Sequence, residues 1–422
     1  MPETRDSSPR RLKIAMVGTR GVPAAYGGFE TAIEEIGQRL AAKGHDVTVY
    51  CRVKEGSPKL ASYLGMTLKY LPAVRSKVLE TPSHTGFSVL SMLFSRREDV
   101  AFVFNAANSP FIPFIRAKRV PSVVHVDGLE WKRGKWGPNG RRYYRIAEQL
   151  SVRWGDALIS DAQGIADYYT DEFGVPTEQI SYGTRVIRNG PSDRLAELGL
   201  EAGKFHLVVA RFEPENHVDA IVEGYHASGA TMPLVVVGSA PYAAEYTDKI
   251  QAVADSDPRI RMLGGVWDQE LLDQLYTNAL TYLHGHSVGG TNPSLLRAMG
   301  AGTTTIAWDV VFNREVLGAA GRFFQDASSV ASALEAAEAD PADCVTTGEN
   351  LQDRAEAVYN WDVVAEAYEK LAERVAGGYS TRGMSKGRRT DSAWSAPDPV
   401  TPTAQTTSTS PSTAHPTDGE PA

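Results

Sequence analysis

The chain has 422 residues, a 42% share of hydrophobic residues and a formal net charge of −8 at neutral pH. This length is too great for one core and indicates two domains, and the negative charge argues against general nucleic-acid binding. Two cysteines far apart in sequence exclude a disulfide framework and fit a cytoplasmic protein. Without an apolar run near 18 residues or an apolar core in the polar stretch 1–11, neither a membrane span nor a signal peptide is expected.

The first half of the chain alternates strand-like and helical segments. Residues 12–17 form a short apolar run, helical spacing follows over 29–43, and 47–50 is the next strand. This β-α-β pattern implies a parallel sheet. Further predicted strands are 68–71, 100–104, 122–126 and 157–160. We therefore predict a Rossmann-like domain over 12–190, preceded by a disordered N-terminus at 1–11.

A polar, glycine-bearing stretch at 189–204 predicts a linker, after which the alternation restarts. Strands are predicted at 205–210, 233–237, 279–283 and 303–307, and helices at 218–227 and 271–278. A second Rossmann-like domain is therefore expected over 191–358. A final helix at 359–376 carries Trp361, Val364, Tyr368 and Leu371 on one face. The rest, 377–422, is rich in Ser, Thr and Pro and is predicted to be disordered.

The stretch 284–302 is the most distinctive in the chain. It follows an apolar strand and opens a helix, and Gly289 and Gly290 allow the backbone to approach a ligand closely. Ser294 is the expected cap of a helix beginning at Leu295, and N–H groups at a helix N-terminus bind anions. Because open α/β sheets bind ligands at the carboxyl ends of their strands, this pattern predicts a phosphate or sugar cradle.

Several separated motifs, at 18–23, 26–31, 127–133, 211–216, 289–294 and 312–315, carry a resemblance. Over roughly residues 12–376 the chain resembles the retaining glycosyltransferases of family 4, and within them a bacterial rhamnosyltransferase-like subgroup with a DUF1972-type N-terminal domain. The resemblance implies the GT-B architecture, an α/β fold in which two Rossmann-like domains face a central cleft. It also implies a nucleotide-sugar substrate, a lipid-linked or glycan acceptor, and neither cofactor nor metal.

In the first domain, the resemblance assigns the acceptor side to the loop after the first strand and to a residue of a later strand. These residues are Arg20, Tyr26, Gly27, Gly28 and His125. A tight turn without a ligand is the alternative for the loop, and a nicotinamide site is disfavoured because Gly-x-Gly-x-x-Gly is absent.

Two carboxylates just past a predicted strand are candidate catalytic groups. Asp127 and Glu130 would orient or deprotonate the acceptor hydroxyl. In the alternative, Asp127 closes a turn with Gly128, and Glu130 pairs with Lys132 or Arg133.

In the second domain, Arg211 ends a strand, and its guanidinium fork suits a donor diphosphate and the charge of the leaving group. A structural salt bridge is the alternative. The resembled family usually carries a lysine five residues later, where this chain has Asn216. The full set of predicted donor-binding residues is Arg211, Asn216, His286, Gly289, Gly290, Thr291, Asn292, Ser294 and Arg297.

Arg297 departs from the family, in which a glutamate there accepts hydrogen bonds from the ribose. Arginine only donates, so a deoxyribose donor would lose less, which favours dTDP-L-rhamnose. Arg297 contacting the diphosphate, or facing solvent, are the alternatives. His284 and His286 flank Gly285, but a metal site would need further ligands, so contact with the diphosphate or polar packing is expected.

No acid occurs between Trp131 and Arg145, where basic residues alternate with aromatic ones. This pattern predicts peripheral contact with an anionic membrane on its inner face, and a solvated face is the alternative. The residues are Lys132, Arg133, Lys135, Arg141 and Arg142.

The sequence thus predicts a transferase that moves a sugar, most simply L-rhamnose from dTDP-L-rhamnose, to a lipid-linked or polysaccharide acceptor in cell-surface glycan biosynthesis. A UDP-hexose donor remains an alternative. So does a non-catalytic scaffold, because positions 216 and 297 both depart from the family pattern.

Overall fold

The computed structural model describes residues 10–24, 28–53, 59–74, 79–126, 128–132, 136–238, 244–385 and 387–388. The first domain contains an eight-stranded sheet in the order β3-β4-β2-β1-β5-β6-β7-β8, parallel except for the β3–β4 pair. Its strands are β1 Lys13–Val17, β2 Asp46–Arg52, β3 Ser62–Tyr63, β4 Met66–Leu71, β5 Val100–Phe104, β6 Ser122–Val126, β7 Ala157–Ser160 and β8 Glu178–Gln179. Its helices are α1 Gly28–Ala42, α2 Glu80–Leu93, α3 Ile112–Ala117, α4 Pro138–Trp154 and α5 Gln163–Phe173.

The second domain contains a parallel six-stranded sheet in the order β11-β10-β9-β12-β13-β14. Its strands are β9 His206–Val209, β10 Leu234–Val237, β11 Ile260–Gly264, β12 Thr281–His284, β13 Thr304–Trp308 and β14 Arg322–Phe324. Its helices are α6 Val218–Ala227, α7 Ala244–Asp255, α8 Gln269–Asn278, α9 Pro293–Gly300, α10 Val311–Leu317, α11 Ala327–Ala339 and α12 Pro341–Val358. Two such domains facing a cleft are the GT-B architecture that the sequence predicts.

The central strands lie in the core because both faces of each sheet are covered by helices. All residues of β5, β6 and β7 are buried, which explains why they read as continuous apolar runs with clear limits. The predicted linker also contributes to the core. It contains a short 3₁₀ helix, Asp193–Leu198, and Leu195 and Leu200 are buried against the second domain.

The last helix, α13 Trp361–Ala376, crosses back to the first domain. Tyr368, Leu371 and Val375 share a core with Ile36 of α1. Ion pairs on the edge of this contact join Arg39 to Asp362 and Lys43 to Glu369, and His45 Nε2 lies at hydrogen-bond distance, 2.9 Å, from Glu369 Oε1. Helix α13 is therefore part of the packing of the first domain, although it follows the second in sequence.

Two predictions of disorder differ from the structure at their edges. In the predicted N-terminal segment, Arg10 pairs with Asp99 at 3.3 Å. In the predicted tail, the Thr381 amide donates to the Asp156 carbonyl at 2.7 Å, and Arg388 pairs with Glu172 at 2.8 Å and Glu148 at 3.2 Å. The two segments in the tail find buried partners in the first domain, Asp156, Glu148 and Glu172, which composition alone does not reveal. Residues 1–9 and 389–422 lie outside the described part of the chain.

Candidate active site

A cavity of about 370 Å³ opens between the two domains, where the carboxyl ends of both sheets meet. The first domain contributes the start of α1 and residues that follow β5, β6 and β7. The second contributes residues that follow β9 and β12 and the start of α9. Polar or glycine residues in its wall include Gly28, Glu30, Asn105, Gly128, Glu130, Asp161, Arg211, Asn216, His284, Gly285, His286, Gly289, Gly290, Thr291, Asn292 and Ser294. The predicted donor-binding residues, except Arg297, therefore line one cavity.

The N-terminus of α9 faces this cavity, and its cap differs from the predicted one. The helix begins at Pro293, and the Asn292 side chain caps it by accepting a hydrogen bond from the Ser294 amide at 2.9 Å. The prediction of Ser294 as the cap of a helix beginning at Leu295 was wrong, because proline suits the first helical position and the asparagine before it reaches the second amide. The amide groups at this end suit an anion.

Glycines allow the two domains to touch beside the cavity. A β-carbon on Gly28 would lie 2.7 Å from Pro293 Cγ, and one on Gly128 would lie 2.7 Å from Gly289 Cα. A β-carbon on Gly290 would overlap the Asp161 carboxylate. Each of these pairs joins one domain to the other. Glycine is therefore needed here for close approach and, at Gly128, where φ is +45°, also for backbone freedom.

Arg211 lies two residues beyond the end of β9, lines the cavity and has a half-exposed side chain. Its Nη2 is 3.4 Å from Glu213 Oε2, which is a long ion pair. The salt-bridge alternative is therefore present in the structure, yet exposure to the cavity leaves the guanidinium accessible to a ligand.

Asn216 connects two elements of the cavity wall. Its amide nitrogen donates to the Arg211 carbonyl at 2.7 Å, which leaves its oxygen to accept from His286 Nδ1 at 2.7 Å. The proton of a neutral His286 is thereby held on Nδ1, and Nε2 is left as an acceptor. An asparagine at this position thus orients the imidazole without supplying the positive charge of a lysine.

His284 forms a buried part of the same wall. The Tyr282 hydroxyl lies 3.2 Å from His284 Nδ1 and 3.3 Å from the Val209 carbonyl. Burial lowers the pKa of His284 to about 3, so the ring is neutral at physiological pH. Its Nε2 is buried without a hydrogen-bond partner within the described part of the chain.

His125, predicted on the acceptor side, lies behind the cavity wall. Its Nδ1 bonds the Tyr368 hydroxyl of α13 at 2.8 Å. Its ring packs against Phe29 and Tyr182, with ring centroids 5.2 Å and 5.6 Å away, and those two residues line the cavity. Burial lowers the pKa of His125 to about 3. His125 therefore supports two lining residues and is not itself among them.

The other predicted residues of the first domain fall into three groups. Glu130 is buried in the cavity wall, and its Oε2 accepts from Trp136 Nε1 at 3.1 Å. Arg20 is exposed and donates its amide to Glu30 Oε1 at 3.2 Å, outside the lining. Tyr26, Gly27 and Asp127 lie outside the described residues, so their assigned roles stay predictions.

Arg297 is not brought to the cavity lining. Its guanidinium contacts Asp273 and Gln269 of α8, with Nε 3.0 Å from Asp273 Oδ1, and lies 5.3 Å from the centre of the Tyr276 ring. Of the three sequence interpretations, neither direct diphosphate contact nor a solvated side chain matches this position. An arginine here instead joins α9 to α8.

Asp161 was missed by the sequence analysis. It directly follows β7, is buried, and lines the cavity opposite Gly290. Its carbonyl accepts a hydrogen bond from the Thr291 hydroxyl at 2.6 Å, across the domain boundary. The sequence contained a signal for this residue, because it is polar and directly follows a predicted strand, and open α/β sheets bind ligands at the carboxyl ends of their strands.

The basic stretch partly forms helix α4. Arg141 and Arg142 are exposed, whereas the Lys132 ammonium lies 5.5 Å from the Trp131 ring. Arg133 and Lys135 lie outside the described residues. In the described ranges, no helix has the length and apolar character required to span a bilayer.

Comparisons with known proteins agree with this architecture. A family model described as "Glycosyl transferase 4-like domain" matches residues 27–190, and one described as "Glycosyl transferases group 1" matches residues 204–340. No curated protein matches the sequence.

Solved structures show the same fold at low sequence identity. Sucrose-phosphate synthase from Thermosynechococcus elongatus is 20% identical, with a TM-score of 0.73 over 87% of this chain and 100% of that one. Anabaena HepE in complex with UDP is 15% identical, with a TM-score of 0.69 over 87% and 100%. A UDP-forming trehalose-phosphate synthase from Burkholderia xenovorans is 13% identical, with a TM-score of 0.67 over 86% and 100%. The two family models together span more than half of the chain, and the protein belongs to the family 4 glycosyltransferases of GT-B fold.

Proposed function

We propose that the protein transfers L-rhamnose from dTDP-L-rhamnose to a lipid-linked or polysaccharide acceptor in cell-surface glycan biosynthesis. The observation that carries a nucleotide-sugar substrate is the cavity in which Arg211 and the N-terminus of α9 face the carboxylates of the first domain. A cationic fork and helix amides on one side suit a diphosphate. Carboxylates on the other side suit an acceptor hydroxyl.

In the reaction, the bond between the anomeric carbon and the diphosphate oxygen breaks, and a bond from that carbon to the acceptor oxygen forms. Arg211 and the amides of 290–294 stabilise the charge on the leaving nucleoside diphosphate. Glu130 or Asp127 takes the acceptor proton. Retention at the anomeric carbon is the outcome that the family resemblance implies.

The thymidine donor rests on Arg297. Position 297 carries an arginine, bonded to Asp273, where the resembled family has a glutamate that accepts from the ribose, and arginine only donates. A deoxyribose has one hydroxyl fewer to satisfy. A UDP-hexose is the second candidate donor, since Anabaena HepE was solved with UDP-glucose.

An acceptor carried on a lipid would hold the enzyme at the inner face of a membrane. The exposed Arg141 and Arg142 support such contact, and Lys132, Arg133 and Lys135 are the further candidates from the sequence. A non-catalytic scaffold is the remaining alternative, because Asn216 and Arg297 both depart from the family pattern.

The deciding experiment measures the melting temperature with dTDP-L-rhamnose, UDP-glucose and the free diphosphates, followed by nucleotide release with an acceptor. We expect the largest shift with dTDP-L-rhamnose and a fall in turnover of about 10- to 100-fold in Arg211→Ala, as for a lost charge-assisted hydrogen bond. Arg188→Ala is the control, since Arg188 pairs with Asp353 away from the cavity. A larger shift with UDP-glucose would assign the other donor, and binding without turnover would favour the scaffold.

A further inference from the structure

Helices α2, α3 and α4, followed by α5 at the β8 edge, cover one face of the first sheet. Helices α2, α3 and α4 each precede a strand that lies further toward β8, and right-handed crossovers place all three on the same side. Lys118, just after α3, donates to the Ser95 carbonyl beyond α2 at 2.9 Å, and Arg116 of α3 donates to the Trp154 carbonyl of α4 at 3.3 Å. The three helices therefore form one continuous layer, called here the α2–α4 face.

The outer side of α2 is apolar although it faces solvent. Its inner side is buried through Val89 and Met92. At 100° per residue, four apolar side chains fall within an arc of about 80° on the other side. They are Leu79, Phe87, Leu90 and Phe94, which are 53%, 41%, 51% and 86% exposed. Phe114 on α3 is 55% exposed and Ile146 on α4 is 47% exposed. Exposed large apolar side chains on three neighbouring helices are typical of an interaction site.

The exposed apolar side chains of α2, together with Phe114 and Ile146, are called here the apolar stripe. Exposed arginines lie on or next to the same three helices. They are Arg96 and Arg97 after α2, Arg119 after α3, and Arg142 and Arg153 on α4. None of the five forms an ion pair with an acid in the described part of the chain. Helices α2 to α4 carry two acids, Glu80, which pairs with Arg52 at 3.1 Å, and Glu148, which is buried. The turns after α2 and α4 add Glu98, Asp99 and Asp156, which pair with Lys118, Arg10 and Arg116. On a chain with a net charge of −8, this face is locally cationic.

We propose that the α2–α4 face docks onto the surface of an anionic lipid bilayer, with the apolar stripe at the acyl boundary and the arginines at the headgroup phosphates. This combination of a half-exposed apolar side and flanking arginines is typical of helices that lie in a membrane interface. Arginines alone would suit any polyanion. The exposed side chains of Phe87, Leu90 and Phe94 need an apolar environment as well, which a bilayer provides and a polyanion does not.

The location of the face fits the proposed function, on which this inference partly rests. At the start of α2, Arg52 donates to the Thr81 hydroxyl at 2.7 Å, and the Arg52 amide bonds the Arg20 carbonyl at 2.9 Å. The stripe thus begins beside the loop that leads to α1 and the cavity. An acceptor held in the same bilayer would reach the cavity from this end.

Co-sedimentation of the full chain with vesicles tests the docking. We expect binding to phosphatidylcholine vesicles that contain phosphatidylglycerol, weak binding to phosphatidylcholine alone, and weaker binding in high salt. The variant Leu90→Ser/Phe94→Ser should bind about tenfold more weakly, as expected from the lost apolar burial. Arg96→Gln/Arg97→Gln should lose about fivefold per arginine and part of the salt dependence. Val345→Ser, an equally exposed residue of α12, is the matched control and should bind normally.

Equal binding of the wild type and the Leu90→Ser/Phe94→Ser variant would overturn the proposal, as would equal binding to both kinds of vesicle. A concentration-dependent dimer in gel filtration that this variant abolishes, without vesicle binding, would assign the face to a second copy instead. The vesicles contain no acceptor, and all variants should keep the nucleotide-sugar melting shift. A chain that binds vesicles but never releases nucleotide would therefore refute the proposed function and leave the docking intact.

Discussion

At the scale of single residues, the candidate site depends on histidines that remain uncharged. Burial lowers the pKa values of both His125 and His284 to about 3, and each has one ring nitrogen bonded to a tyrosine hydroxyl. In the unfolded chain both would have a pKa of about 6.5. The folded state therefore excludes protons that the unfolded state accepts, and acid should weaken the fold.

We expect the free energy of unfolding to fall between about pH 7 and about pH 5 by about 2 kcal/mol for each of these histidines. The sign follows from the folded pKa lying below the unfolded one, so the stability is lost as the pH falls through the unfolded value. His125→Gln should be less stable at neutral pH but should lose about 2 kcal/mol less on acidification, by urea unfolding at both pH values. An unchanged pH dependence in this variant would contradict the buried, neutral state.

Some residues of the candidate site could be located from the sequence, and others could not. The residues that could be located follow strands. In the structure Arg211, His286 and residues 289–294 line the cavity at the carboxyl ends of β9 and β12. Arg297 could not be placed, because its partner Asp273 lies on another helix and nothing in the sequence pairs them. For His125, the partner that fixes the ring is Tyr368 of the crossing helix, which is distant in sequence, so the burial of this side chain could not be read from its strand.

At the scale of elements, the buried strands were predicted well and several helices were missed. Strands β5, β6 and β7 were placed at their observed limits because their apolar runs are uninterrupted. Helix α2 contains Ser, Thr, His, Gly and Pro and lacks a regular apolar period, since its outer side is also apolar. The same exposed side chains that hide the helix from a periodicity argument define the α2–α4 face.

The glycine contacts between elements predict a specific effect on closure. Ala at position 290 would press against the Asp161 carboxylate and hold the domains apart. We expect Gly290→Ala to lower turnover about tenfold or more, since overpacking of this kind costs about 1–3 kcal/mol. The radius of gyration from solution X-ray scattering should rise. Gly137→Ala, with no neighbour near the added carbon, is the control. Unchanged turnover and size in Gly290→Ala would show that the two domains do not close here.

At the scale of the whole molecule, residues after α13 fasten the first domain. Arg388 reaches between Glu148 of α4 and Glu172 of α5, and its guanidinium lies 4.9 Å from the Phe173 ring. Burial raises the pKa of Glu148 to about 7, and the positive charge of Arg388 opposes that shift. A segment distant in sequence thus neutralises two buried carboxylates of the first domain.

Removing this cation should destabilise the first domain. We expect Arg388→Gln to cost about 3 kcal/mol, because a buried carboxylate loses its partner, with a larger loss above about pH 7 where Glu148 ionises. Hydrogen exchange in α4 and α5 measures the local loss of stability, and thermal melting measures the loss for the whole protein. Arg382→Gln is the matched control, as Arg382 is more exposed and 3.8 Å from Asp156. Equal protection of α4 in both variants would mean that Arg388 does not fasten the helices.

The crossing helix α13 has a consequence for the order in which the protein is made. The first domain leaves the ribosome well before Tyr368, Leu371 and Val375, which complete its core beside Ile36. Until α13 has been synthesised, after the second domain, the nascent first domain leaves exposed the apolar surface around Ile36 that α13 covers in the finished fold. Its final packing, and with it the wall behind Phe29 and Tyr182, is therefore a late event in biosynthesis that couples completion of the binding cavity to synthesis of both domains.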